Sequence, residues 1–395
     1  MDNFSFYAPT YFEFGKKTEE KAGELIRRFG GSKVLLHYGG GSIKKSGLYD
    51  KVVQVLKDSG LSFVELGGVK PNPRSGLVYE GIELCRRENV DFILAVGGGS
   101  TIDSAKAIAA GVPYAGDFWD FHEGKAIEAA LPVGTILTIA AAGSEGSPNC
   151  VITNEAKLLK RGSRSDLLRP KFSILNPELT CTLPPYQTAA GATDIMIHVI
   201  ERYFTTTENV GVTDHLCEAL LRTIIEEAPK VIENPNNYDA RANIMWAGML
   251  AHNNVCGVGR SQDWGSHGLE HEISAFYDVA HGAGLAVIAP AWMRFLLKRK
   301  PERLVLFAEN VWEIGTKNNE KEKDSTLQEI ALKGIESFEA FLKEIGMPLS
   351  FDELGVPEAD IDKMVESIYN SRGTLGVYVK MGTDEMKEVY EIAKK

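Results

Sequence analysis

Asp194 and His198 are spaced i, i+4, as are His267 and His271, and His281 follows ten residues after His271. On a helix each pair shares one face. The chain holds only 8 histidines, and three of them fall between Ser266 and Gly282. An Asp-x3-His pair with a His-x3-His-x9-His run is a donor pattern for a metal. Neutral imidazoles with a carboxylate suit Fe, Zn, Co or Ni, and the lack of nearby cysteine argues against a structural zinc. Spacing alone offers five donors (Asp194, His198, His267, His271 and His281) for about four places, and leaves the choice among them open.

A second chemistry is written in glycine. Gly97, Gly98, Gly99 and Ser100 follow an apolar run and open a helical pattern through Asp103. Glycines let backbone approach a phosphate, and the free N–H groups and positive end of a helix favour that anion. The loop is not GxGxxG, so the usual dinucleotide fingerprint is absent. Gly39, Gly40, Gly41 and Ser42 form a similar loop, with Lys44 and Lys45 just beyond. A ribose diol calls for an acid after the strand, whereas cations accommodate a 2′-phosphate. This loop has a hydroxyl and two lysines and no acid, which favours NADP(H), with NAD(H) as the other option.

These loops need strands and helices to carry them. Strands are expected at Lys33–Tyr38, Phe63–Leu66, Asp91–Val96, Thr135–Ile139 and Phe172–Leu175, and helices at Leu48–Leu56, Gly76–Glu88 and Thr101–Ala110. The alternation predicts an α/β sheet with largely parallel strands, Rossmann-like. After Pro184 the pattern becomes helical: Thr188–Tyr203, Val212–Glu226, Ala240–Asn253, Leu285–Leu297, Leu304–Thr316, Thr326–Ile345, Glu358–Tyr369 and Asp384–Lys394. The reading is therefore an α/β dinucleotide-binding domain over 1–184 and an all-helical metal-binding and substrate domain over 185–395. Lys317–Lys323 reads as an exposed loop.

Composition narrows the classes. The 395 residues carry a net charge of −11, with 44% hydrophobic and 25% charged residues. That excludes disorder and collagen-like repeats, and no basic tract suits nucleic acid. The most apolar stretch, Gly282–Leu297, is shorter than the ~20 residues of a spanning helix and contains Pro290, so no membrane association is expected. Five scattered cysteines without CxxC read as reduced thiols, and the N-terminus has no signal-peptide pattern. A cytoplasmic protein is expected.

On these motifs the sequence resembles the iron-containing (group III) alcohol dehydrogenases, and within them the NAD(P)H-dependent butanol dehydrogenases and broad aldehyde reductases. The resemblance spans nearly the whole chain. It rests on GGGSTIDSAK (Gly97–Lys106), SILNPELTCTLPPYQTAAGATDIMIHVIE (Ser173–Glu201) and GSHGLEHEISAFYDVAHGAG (Gly265–Gly284). It implies metal ligation by Asp194, His198, His267 and His281, with His271 beside the metal as a catalytic residue. The implied metal is one divalent cation, Fe2+ before Zn2+. It further implies cofactor contacts from Gly39–Ser42, Asn72, Gly97–Ser100, Asp103, Thr138 and Lys160. Two positions depart from the family: Asn176 replaces a usual acid, and Ala141-Ala142 replaces Gly-Thr, removing a side chain that could touch the cofactor.

The activity so implied is hydride transfer between NADP(H) and short- to medium-chain primary alcohols and aldehydes, such as butanol and butanal, in a homodimer. Trp264, Phe276 and Tyr277 flank the ligand segment as pocket wall or aromatic core. The alternatives are a glycerol- or diol-type dehydrogenase of the same superfamily, or a metal-dependent hydrolase, which would have no use for two nucleotide loops.

Overall fold

The computed structural model describes residues 1–315 and 326–395; the expected loop Lys317–Lys323 and the end of the helix read to Thr316 lie outside them. Eight strands are described: β1 Tyr11–Phe14, β2 Lys33–Tyr38, β3 Ser62–Leu66, β4 Phe92–Gly97, β5 Val133–Leu137, β6 Asn149–Asn154, β7 Leu159–Arg164 and β8 Phe172–Leu175. Six form one sheet in the order β1-β8-β5-β4-β2-β3, and every pairing in it is parallel. β6 and β7 form a separate antiparallel hairpin.

The sheet follows from strand composition. β4 and β5 are buried along their whole length, as parallel strands covered on both faces must be. Alternate residues then go to opposite faces. Leu35, Ile93 and Ala95 pack with Val78, Ile82, Ile102 and Ile108 of the helices Ser75–Glu88 and Gly99–Gly111. Val34, Leu36, Leu94 and Val96 pack with Leu25, Ile26, Val52 and Leu56 of the helices Ala22–Arg28 and Leu48–Asp58. The chain is thus doubly wound, and the glycine loops leave the carboxyl ends of adjacent strands, where such sheets bind ligands.

The described residues gather into two compact units. One comprises Tyr7–Leu183 with Pro235–Asn253, and the other Met1–Phe6, Pro184–Asn234 and Asn254–Lys395. The division is not a single cut near residue 184. The helix Tyr238–His252 joins the sheet unit because Trp246 packs edge-on against Phe12 and Phe14 at β1, with ring centroids 5.8 Å apart in both pairs.

In the helical unit, the helix His281–Leu297 is buried nearly throughout and carries Pro290 inside it. No described helix is long and apolar enough to cross a membrane. Its first turn lies against the backbone of the helix Pro185–Tyr203: a Cβ added at Gly282 would sit 1.9 Å from the Ala190 carbonyl oxygen. Only glycine permits that approach, and Ala190 is one turn before Asp194.

Candidate active site

Three helices converge on one point of the helical unit. Pro185–Tyr203 supplies Asp194 and His198, Gly265–Tyr277 supplies His267 and His271, and the first residue of His281–Leu297 is His281 itself. Asp194 Oδ1 is the hub. It lies 3.7 Å from His198 Nδ1, 3.8 Å from His267 Nε2 and 3.8 Å from His281 Nε2. The Asp194, His267 and His281 donor atoms all fall within 4.8 Å of one another, as do those of Glu270, His271 and His281. The His198 and His267 rings stack at 4.8 Å.

The donors fit a cation. Asp194 Oδ1 and His267 Nε2 are buried and have no hydrogen-bond partner among the described residues. Orphaned buried atoms each cost about 1–3 kcal/mol, a cost that a cation bound between them would remove. Three imidazoles and one carboxylate match the N/O preference of Fe2+ or Zn2+.

Behind the donors stand carboxylates that the sequence reading did not single out. Glu201 Oε1 accepts from Ser266 Oγ at 2.7 Å, from His267 N–H at 2.9 Å and from His267 Nδ1 at 3.1 Å. This fixes the proton on Nδ1 and turns Nε2 toward Asp194. Glu270 does the same for His281 Nδ1 and is itself held by Ser274 Oγ. Such partners set tautomer and ring orientation in metal sites. Burial opposes protonation of His267, yet the Asp194 and Glu201 carboxylates outweigh it and lift the imidazole to about 9. A proton there occupies the place a cation would take. Glu201 lies on the helix of Asp194, and Glu270 on that of His267, but each orients an imidazole of a different helix, a pairing that spacing in the sequence does not show.

His271 is half-buried, its ring centroid 5.7 Å from that of His281 and 6.5 Å from that of His267. Trp264 faces the centre, 5.2 Å from the His267 ring and 6.1 Å from the His198 ring. Phe276 and Tyr277 turn elsewhere: Lys363 lies over the Phe276 ring and the Tyr277 hydroxyl accepts from the Asp360 N–H.

The sheet unit gathers the expected cofactor residues. Gly39–Ser42 leaves β2, Gly97–Ser100 leaves β4 and Thr138 follows β5. Register pairs Tyr38 with Val96 and Gly97 with Leu137. The Thr138 N–H donates to the Gly97 carbonyl at 3.0 Å, and the Gly68 N–H to Gly39 at 2.9 Å. The helix Gly99–Gly111 has no side-chain cap at its N-terminus, which leaves donors for an anion. Beyond β3, Asn72 takes a left-handed conformation (φ 53°), which asparagine tolerates, and its Oδ1 accepts from Lys160 Nζ of β7 at 3.0 Å. Lys44 and Lys45 are exposed on a short helix.

Asp103 has its carboxylate turned into the protein, accepting from Ser144 Oγ at 2.5 Å and Val151 N–H at 2.9 Å. One turn on, fully buried Lys106 donates to the Ser144, Ser147 and Asn149 carbonyls at 2.6–2.9 Å. Burial brings its ammonium down to about 8. Together they shape the segment after β5, where Ala142 Cβ would be 2.9 Å from a Cβ at Gly99.

A carboxylate-and-imidazole cluster, on a chain whose doubly wound sheet ends in glycine loops, fits the class of metal-dependent dehydrogenases. Sequence comparison agrees. Residues 9–177 match the iron-containing alcohol dehydrogenase model, and residues 188–394 the C-terminal model of the Fe-containing alcohol dehydrogenase family. The chain is 42% identical to NADH-dependent butanol dehydrogenase A of Clostridium acetobutylicum, over 99% of each chain. It is 35% identical to the NADPH-dependent aldehyde reductase YqhD of Escherichia coli, over 100% of each. The crystal structure of NADH-dependent butanol dehydrogenase A from Thermotoga maritima superposes with a TM-score of 0.94 at 42% identity, covering 100% of this chain and 99% of that one. The chain belongs to the iron-containing alcohol dehydrogenase family and is an oxidoreductase.

Proposed function

We propose that this chain interconverts short- to medium-chain aldehydes and primary alcohols with NADP(H), using one divalent metal, Fe2+, held by Asp194, His198, His267 and His281. The observation that carries the reading is the convergence of three imidazoles on Asp194 Oδ1 at 3.7–3.8 Å. A cation there supplies Lewis acidity to a carbonyl oxygen, and the nicotinamide supplies hydride. The chain's own residues do the rest. Glu201 and Glu270 hold His267 and His281 in one tautomer. Trp264 walls the centre. His271, one turn from His267, delivers or relays the proton that the product oxygen needs.

The butanol dehydrogenases at 41–43% identity are named for NADH and the aldehyde reductase at 35% for NADPH, so the preference for NADP(H) rests on the loop alone. Gly39–Ser42 offers backbone N–H groups and a hydroxyl, with Lys44 and Lys45 just beyond. The acid on the neighbouring strand, Glu65, is engaged by the Tyr38 and Tyr49 hydroxyls at 3.0 and 2.7 Å. Both features support a 2′-phosphate over a bare diol. Free, mostly buried cysteines fit a cytoplasmic setting. β1 is an edge of the sheet with Tyr11, Phe14 and Trp246 exposed beside it, which supports pairing with a second copy in a homodimer.

The test is NADPH oxidation by metal-loaded protein across a C2–C8 panel of aldehydes and diols. Turnover of linear aldehydes that is lost on chelation is expected. Hydrolytic activity without NADPH binding would overturn the reading.

A further inference from the structure

Trp264 sits in a conformation that tryptophan does not choose. Its φ is 64°, in the left-handed region, which is strained for a bulky residue. Its ring is nevertheless fixed on several sides. Nε1–H donates to Gln262 Oε1 at 3.2 Å, the Arg202 guanidinium lies 4.6 Å from the ring centroid, and the His198 and His267 rings meet it edge-on. Something must hold the backbone in that turn.

Asp263, buried at 3% exposure, has the geometry for it. Its Oδ1 accepts the Gly265 N–H at 2.8 Å, closing the turn around Trp264. Its Oδ2 accepts the N–H groups of Val377 and Tyr378 at 2.8 and 2.6 Å. Those two belong to a loop pinched shut by reciprocal backbone bonds between Leu375 and Met381 at 2.7 and 3.1 Å. The loop rests on the first turn of the His267 helix: Cβ atoms at Gly265 and Gly268 would lie 2.9 Å from Met381 Cε and 2.7 Å from Leu375 Cδ2. Tyr378 plugs the loop into the core beside Phe204.

We infer that Asp263 is a positioning residue: by tying the loop Leu375–Met381 to the turn before the His267 helix, it fixes the Trp264 ring against the metal-binding imidazoles and so sets the wall of the aldehyde pocket. The inference rests on the proposed role of Trp264 as pocket wall. It makes the hydrogen-bond polarity of Asp263 decisive. Both carboxylate oxygens face N–H donors, so an amide in either orientation puts NH2 against N–H. Asp263→Asn is nearly isosteric and yet must fail.

The experiment compares metal-loaded wild type, Asp263→Asn, Trp264→Gly and the double variant. Glycine tolerates the left-handed turn while removing the ring. Near-UV circular dichroism of the glycine variant identifies the Trp264 band. Asp263→Asn should lose that band, keep one metal per chain, and raise KM for butanal about tenfold with a smaller change in kcat. The double variant should have the KM of Trp264→Gly alone, because residues acting through one another do not add. Should Asp263→Asn not fold, Gly376→Ala breaks the loop from its far side. There φ is 79° and a Cβ would meet the Val379 carbonyl at 2.4 Å, and the same loss of band and rise in KM are expected. An unchanged Trp264 band in Asp263→Asn overturns the inference, as do fully additive KM effects. If the wild type turns over no aldehyde, the functional proposal fails, while the dichroic band and metal content still decide the role of Asp263.

Discussion

Replacing Gly282 with alanine should abolish the metal centre without touching a ligand. A Cβ at this position would lie 1.9 Å from the Ala190 carbonyl oxygen, 2.6 Å from its carbon and 2.9 Å from its Cα, all backbone atoms with no side-chain freedom. Reaching even 3.0 Å from the oxygen requires the helices Pro185–Tyr203 and His281–Leu297 to part by about 1.1 Å at that point. His281 is the adjacent residue, and Asp194 is one turn beyond Ala190. Metal–ligand distances tolerate only about ±0.2 Å, so a shift five times larger removes His281 from the set. Overpacking against a rigid backbone further costs about 1–3 kcal/mol or more of stability. Elemental analysis of purified Gly282→Ala should therefore find much less than one metal per chain, and thermal unfolding should begin several degrees lower. Adding Ala190→Gly should not rescue it, since the obstructing atoms are main chain. A Gly282→Ala protein with full metal occupancy and unaltered melting would show that the helix contact does not set the centre.

Three further outcomes are expected. Glu201→Gln loses the carboxylate that orients His267, and metal affinity should fall about 10–100-fold; competition with a chromogenic chelator measures it, and unchanged affinity would remove Glu201 from the centre. At Gly39 a Cβ would meet nothing closer than the Val69 carbonyl at 3.5 Å, so Gly39→Asp fits. It should invert the cofactor preference about tenfold or more by accepting a ribose 2′-OH and repelling a 2′-phosphate; equal Kd ratios for NADPH and NADH in both proteins would refute the loop argument. His37, bonded to Leu66 O and Ser104 Oγ inside the sheet, is held down to about 4 by burial. The unfolded imidazole protonates near 6.5, so its contribution is complete above that pH and is lost as pH falls toward 4, at about 1.4 kcal/mol per pH unit. The stability gap between wild type and His37→Gln in urea should shrink by about 2 kcal/mol from pH 7 to pH 5, and a constant gap would contradict it.

The sheet was legible because its central strands are buried on both faces and read as unbroken apolar runs. Lys33–Tyr38 and Phe172–Leu175 occupy the expected residues, and the other three shift by one or two positions. What escaped was held by something other than pattern. In the β6–β7 hairpin the second strand is mostly polar, and the turn is made by Asn154, whose side chain accepts the Ala156 and Lys157 N–H groups at 3.1 and 3.0 Å. β1 is four residues long and takes its place by pairing with β8. The helix expected over Val212–Glu226 runs from Gly211 to Glu233, with Pro229 inside it.

At the centre the ligand types could be read and their supports could not. The helix Gly265–Tyr277 opens with Gly-Ser-His-Gly, a weak helical signal by propensity. It begins where it does because Asp263, two residues ahead, accepts the Gly265 N–H and Glu201 accepts the His267 N–H, and Glu201 comes to this end of the helix only through tertiary packing. His281 likewise becomes the first residue of its helix, four residues ahead of the apolar run that announced it, because Gly282 is pressed onto Ala190. Periodicity finds residues that bury themselves. It has no purchase on residues whose task is to hold a neighbour's backbone or tautomer. In this molecule Glu201, Glu270 and Gly282 are such residues, and beside them three of the candidate imidazoles converge on Asp194 Oδ1.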